Sequence, residues 1–178
     1  GNGLMMQLRR ADERHCMRSW GEKLLLTFYP GLEEDPLANG FGDLLALSEG
    51  FVAPDGGMTT DHRRGSKTVT YVIEGLMSQL GWSERSTLIR AGDFQCTSGE
   101  YGQSSIQYNA STREKLHVLT LSLLSTCELC PNPQQKSFSS QSRAGRVRLV
   151  GSADGREGTL ALGQDVSLYS GMLTAEQD

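Results

Sequence analysis

Between residues 115 and 124 the chain alternates strictly. Leu116, Val118, Thr120, Ser122 and Leu124 share one face of an extended strand, and His117, Leu119, Leu121 and Leu123 share the other. The second set is the more apolar and predicts the face that packs on the core. Within residues 67–74 every position between Lys67 and Glu74 is β-branched or aromatic, which predicts a strand buried on both sides. Shorter apolar runs at 6–10, 24–29, 41–47, 50–53, 77–80, 87–90, 94–97 and 104–109 recur at the spacing of a β-sandwich or barrel. Three more, at 147–150, 159–162 and 166–170, follow a Pro-, Gln- and Ser-rich stretch at 130–143 that reads as a linker. Turn chemistry such as Pro54-Asp55-Gly56-Gly57 and Ala153-Asp154-Gly155 separates the runs. No stretch sustains a helical period, so the pattern predicts an all-β chain.

Composition sharpens this only slightly. Twenty-one Gly and 5 Pro in 178 residues suit many tight turns between short strands. A net charge of -4, mixed in sign, supplies no basic field for nucleic acid. No apolar run approaches the ~18–20 residues of a membrane helix, and the first six residues lack a leader pattern. The expectation is a cytoplasmic protein with neither direct nucleic-acid nor membrane partners. Cys127-Glu128-Leu129-Cys130 is a CxxC without the second pair or spaced histidines of a zinc site. It reads either as two thiols opening a loop before Pro131 and Pro133 or as a reversible disulfide. No phosphate loop, GxSxG elbow or spaced Ser/His/Asp set is present.

Several short motifs in order carry a resemblance. They are Leu8-Arg9-Arg10-Ala11-Asp12-Glu13-Arg14, Ser19-Trp20, Gly40-Phe41, the run from Thr68 to Gly75, Ala91-Gly92-Asp93-Phe94-Gln95, Tyr108-Asn109, Glu114-Lys115-Leu116-His117, and residues 155–169. Through them the chain resembles the pirin family of cupins, above all the bacterial branch associated with quercetin 2,3-dioxygenase activity. The resemblance implies a cupin (double-stranded β-helix, or jelly-roll) barrel over residues 35–126. It also implies N-terminal strands in 1–34 associated with a second β element, a linker at 127–145, and a partial second cupin domain at 146–178. Only 35 residues follow Arg143, too few for a whole barrel. The expectation is a truncated second domain completed by a partner copy in a homodimer.

The resemblance also implies one iron-like metal, held by a His-x-His on one strand and a His-x-Glu on another. Residues two apart on a strand share a face, so two strands offer four ligands to one point. Counted from Thr68 and from Tyr108-Asn109, those positions fall on Asp61 and Arg63, and on Ser105 and Gln107. None is a family ligand, and a neighbouring family Glu is Lys67. His62 lies one residue out of frame, where alternation points it away, and Glu100 and Tyr101 precede the second pair. The reading is therefore a protein without the family cofactor and not an enzyme. Its former metal pocket of Asp61, Arg63, Lys67, Ser105, Gln107 and His117 is either filled by ordinary polar residues or binds a small anionic or phenolic ligand. In that pocket Arg63 is expected to stand in for the cation, paired with Asp61 and donating to Ser105 and Gln107. A protein partner in a regulatory role is the companion expectation. Two enzyme readings compete: a quercetinase-type oxygenase, and a metal-independent isomerase or lyase using His117, Lys67 or Glu100 as acid and base.

Overall fold

The computed structural model describes residues 8–19, 21–31, 34–35, 38–80, 86–99, 104–125 and 133–175. Its strands in chain order are β1 (His15–Ser19), β2 (Glu22–Phe28), β3 (Leu44–Val52), β4 (Gly57–Asp61), β5 (Ser66–Glu74), β6 (Leu76–Leu80) and β7 (Ser86–Arg90). They continue with β8 (Asp93–Ser98), β9 (Ser104–Asn109), β10 (Leu116–Leu124), β11 (Gln134–Ser137), β12 (Val147–Ser152), β13 (Leu160–Ala161) and β14 (Leu168–Gly171). One short helix, α1 (Ser140–Arg143), is capped by the Ser139 side chain accepting from the Ser142 amide.

Seven strands form one sheet in the order β1-β2-β3-β10-β5-β8-β11, and four form a second, β4-β9-β6-β7. The two sheets face each other and make the all-β jelly-roll barrel. A three-stranded sheet, β13-β12-β14, follows it in the chain. The expected strand at 6–10 does not form over Leu8–Arg10, where the described backbone leads into a single 3-10 turn at Ala11–Glu13. The runs at 41–47 and 50–53 merge into the one strand β3, since Gly50 is tolerated between Leu24 and Val118 side chains. β1 and β2 extend the barrel's large sheet by pairing with each other and with β3, not with the C-terminal strands as expected. Nor is 133–143 a free linker: β11 pairs with β8, and Phe138 is buried.

Register decides which residues line the barrel. Across the large sheet Val118 sits opposite Gly50 and Val72, Thr120 opposite Ser48 and Thr70, and Ser122 opposite Ala46 and Thr68. These even-numbered residues point inward. With Leu24, Met58, Met77, Ile89 and Leu116 they form the barrel core, apolar at one end and rich in hydroxyls at the other. The odd-numbered residues of β5 and β10, with Phe94 and Cys96 opposite them on β8, pack outward. Val69, Phe94, Cys96 and Leu123 meet Phe138, Val150, Leu160 and Leu162 of the C-terminal segment in a second apolar cluster. β5 therefore carries a core on each face, as its composition predicts. The barrel interior, however, belongs to the face with Thr120 and Ser122, the less apolar one. Alternation alone cannot choose between two buried faces.

At the apolar end Asn109 fastens three chain segments, donating to the carbonyls of Glu114 (2.7 Å) and Val52 (3.1 Å) and accepting from the Ser111 amide (2.9 Å). At the polar end the chain leaves β4 through His62 and Arg63 and turns at Gly65 (φ 73°) into β5. Gly99 lies against this turn so closely that a Cβ there would clash with the Arg63 carbonyl oxygen.

Candidate functional site

Strand β4 and the residue after it set the polar end of the barrel. Met58 and Thr60 face inward opposite Gln107 and Ser105 of β9, and Gln79 of β6 lies opposite Gln107. His62 continues the inward series and is only 6% exposed. Its Nε2 is 2.7 Å from Ser105 Oγ and its Nδ1 is 3.1 Å from Thr68 Oγ1. Gln79 Nε2 donates to Ser105 Oγ at 3.1 Å, and Thr60 Oγ1 donates to Gln107 Oε1 at 3.2 Å. Gln79 Oε1 is buried with no hydrogen-bond partner. Burial lowers the His62 pKa below its ordinary value, against a smaller opposing pull from the Asp61 charge, so the imidazole is neutral at pH 7. A neutral ring with its proton on Nε2 donates to Ser105 and leaves Nδ1 to accept the Thr68 hydroxyl.

A cavity of about 210 Å³ opens beside this network, between β2, β3 and β10 on one side and β4 on the other. Leu24, Leu26, Met58 and Val118 give it an apolar wall, and Thr60, Thr68, Thr120 and Ser122 a hydroxyl wall. Thr60 and Thr68 belong to both the cavity and the network behind it. Glu22 and Tyr29 also line it, and burial raises the Glu22 carboxyl above its usual range.

The sequence-predicted residues separate into three groups. Ser105 and Gln107 are buried and face the barrel interior. Asp61 and Arg63 are exposed and touch the cavity at its rim. Asp61 accepts from Ser104 Oγ at 2.6 Å, and Ser105 and Gln107 bond to His62, Gln79 and Thr60. The expected Arg63 substitute for a cation is thus corrected: the frame is one residue off, and His62 takes the inward place. Lys67 and His117 lie on the outward face. Lys67 is 2% exposed, opposite Leu123 and Ser98. His117 stacks on Phe51 with ring centroids 4.3 Å apart, and its Nε2 is 2.7 Å from Glu49 Oε1. Burial alone would raise the Glu49 carboxyl. Hydrogen bonds from Arg14 and His117, with their charges, outweigh it and hold the carboxyl below its ordinary range. An acid–base pair of His117 and Lys67 at the cavity is excluded, because the large sheet separates both from it. Glu100, Tyr101, Cys127 and Cys130 lie outside the described residues. Sequence reasoning missed Thr60, Thr68 and Gln79; the inward alternation of β6 and β9 was the available signal for Gln79.

Two antiparallel sheets closed around an interior with a polar end define a cupin barrel. No family model matches the chain. It is 29% identical over 175 residues to a quercetin 2,3-dioxygenase of Escherichia coli K12, a match covering 97% of this chain and 74% of that protein. The crystal structure of the bacterial pirin YhhW of Escherichia coli in complex with nickel(II) superposes with a TM-score of 0.80 at 29% identity. That superposition covers 93% of this chain and 70% of that one. A second YhhW structure gives a TM-score of 0.81 at 28% identity. The chain has the cupin fold and is similar along nearly its whole length to the bacterial pirins.

These likenesses overturn the expectation of a protein without a cofactor. Its relatives are named as dioxygenases and one is crystallised with nickel(II), so the family is one with a metal cofactor. The inward described residues offer one imidazole, hydroxyls and primary amides. Among the described residues no three His, Cys, Asp or Glu side chains converge. By themselves they do not fit a transition metal, whose protein sites draw on imidazole, carboxylate or thiolate donors. No helix among the described residues is long and apolar enough to cross a membrane.

Proposed function

We propose that the barrel binds a small hydroxylated aromatic molecule in the cavity against Thr60 and Thr68. The observation that carries this reading is the two-walled cavity. One wall is aliphatic and suits a ring face; the opposite wall is hydroxyl and rests on a neutral histidine. A phenolic OH donating to Thr68 Oγ1 completes a chain in which Thr68 donates to His62 Nδ1, and that chain favours partial proton withdrawal from the phenol. The volume of about 210 Å³ is below the ~300–1,000 Å³ of sites for drug-sized ligands, so one ring fits more readily than a three-ring flavonol. Isothermal titration with catechol tests this. Loss of one hydrogen bond in Thr68→Val corresponds to about 2- to 12-fold weaker binding. Equal affinity in the variant and the parent contradicts the reading.

A second reading is oxygenase chemistry on quercetin-like substrates, supported by the likeness to a named quercetin 2,3-dioxygenase along nearly the whole chain. Oxygen uptake with quercetin, after incubation with iron(II) or nickel(II), distinguishes the two. Turnover that His62→Ala abolishes favours the oxygenase, and catechol binding without turnover favours the binder.

A further inference from the structure

Beside the mouth of the barrel cavity runs an open groove of about 490 Å³, with β1 and β2 on one side and β4 and β9 on the other. Pairing sets Met17 opposite Leu24 and Ser19 opposite Glu22, so these four share the face of β1 and β2 that lines the groove. β1 is exposed at every position, which leaves that face open at the edge of the large sheet. Ile106 and Tyr108 of β9 form the far wall. The residue opposite Tyr108 on β4 is Gly57, and a Cβ there would stand 2.9 Å from Tyr108 Cδ1. Glycine thus lets the phenol ring lie across β4 at the groove.

Glu22 is the one charged side chain among the described residues that line this groove. Among the described residues it makes no ion pair. The cations of its own two strands sit on the opposite face: Arg18 pairs with Lys23, whose Nζ lies 5.5 Å from the Phe51 ring centroid. Arg63 lines the barrel cavity and not the groove. Burial is the sole cause that shifts the Glu22 carboxyl, and it raises it, as for a carboxylate drawn partly out of water with no cation beside it. A carboxylate in that position gains from a counter-ion supplied by solution.

The walls decide which cation suits it. Tyr29, Tyr108 and the Met17 thioether offer aromatic and soft apolar surface, which attracts cations that carry carbon. A hard metal ion needs several oxygen ligands at one point, and among the described residues no such group of acids converges. We infer that this groove binds an organic ammonium group, with Glu22 as its counter-ion and Tyr29 and Tyr108 against its carbon substituents. The inference stands on the groove alone and does not depend on what the barrel cavity holds.

The test uses the whole chain at fixed ionic strength in sodium chloride. Isothermal titration compares two cations, phenethylammonium and choline, with their uncharged counterparts 2-phenylethanol and 3,3-dimethylbutan-1-ol. Saturable binding of a cation, at least about 5-fold tighter than its alcohol, is expected. Response to phenethylammonium alone, or to choline alone, assigns the site to primary or to methylated ammonium. Glu22→Gln keeps the shape without the charge. It should weaken the cation about 5- to 12-fold, between an exposed ion pair and a buried charged hydrogen bond. Tyr108→Leu should weaken it about 2- to 5-fold. No saturable binding of either cation, alcohols that bind as tightly, or a Glu22→Gln affinity equal to the parent's each overturns the inference. The comparison of cation with alcohol in the parent decides the matter even if a variant fails to fold. Catechol is absent from these titrations, so their failure leaves the reading of the barrel cavity standing.

Discussion

Replacing His62 by alanine tests the central structural assignment, that this residue and not Asp61 or Arg63 faces into the barrel. The imidazole holds two hydrogen bonds, to Ser105 at 2.7 Å and Thr68 at 3.1 Å. Losing them costs about 1 kcal/mol each, and the void left by a buried ring adds a comparable amount. Ser105 keeps its bond from Gln79, which limits the loss. The total is about 2–4 kcal/mol, or a fall in Tm of roughly 5–15 °C for a chain of this size. A second signature accompanies the first. The folded pKa of His62 lies below its ordinary 6.5, so above that pH both states carry a neutral ring and its full contribution is present. As pH falls below 6.5 the unfolded chain binds a proton that the folded chain resists, and stability is lost until the folded pKa is passed. Urea melts of parent and variant at about pH 7.5 and pH 5.5 read both effects. The variant should be weaker at both and less sensitive to the change. A variant within about 0.5 kcal/mol of the parent, the limit for a surface substitution, with unchanged pH sensitivity, would refute the assignment.

Other outcomes follow from the same geometry. Gln79→Leu removes a buried, unpartnered amide oxygen together with one hydrogen bond, so chemical denaturation should find it within about 1 kcal/mol of the parent. Gly99→Ala forces a Cβ against the Arg63 carbonyl and should cost at least about 2 kcal/mol by calorimetry, while Gly31→Ala, with nothing near its Cβ, pays only for its backbone angle. Glu49→Ala strips both Arg14 and His117 of their shared carboxylate. It should lower stability by about 1–2 kcal/mol at neutral pH. Because the folded Glu49 pKa lies below 4.5, the difference from the parent should shrink as pH falls through and below that value.

The strands were legible because each carries its own alternation: residues 67–74, 87–90, 94–97 and 104–109 fall within one or two residues of β5, β7, β8 and β9. The pirin likeness located the site between β4 and β9, yet missed its frame by one residue. Counting back from Thr68 assumes a fixed path through Arg64 and Gly65, and a turn carries no alternation that could check the count. The face of β10 was misread for another reason. Leu119, Leu121 and Leu123 serve the contact with the C-terminal segment, while Thr120 and Ser122 serve a wet cavity, so the more apolar face is not the interior. Phe138 was passed over because it stands in a stretch whose composition reads as loop. Only the tertiary structure shows that stretch folded against the barrel.

The pairing of β3 with β10 also governs how the chain must be made. Leu44 and Leu123 are partners, as are Val52 and Leu116, so β3 waits for a segment that leaves the ribosome some 64 to 79 residues later. At about 5–20 residues per second that delay is several seconds to a quarter of a minute. Throughout it, β3 can hold β2 on one edge while its other edge stays open, offering amides and carbonyls to any neighbouring nascent strand. The most aggregation-prone moment in the life of this protein is therefore set by the position of residues 116–124 in the gene, and slowing translation just upstream of them would lengthen it.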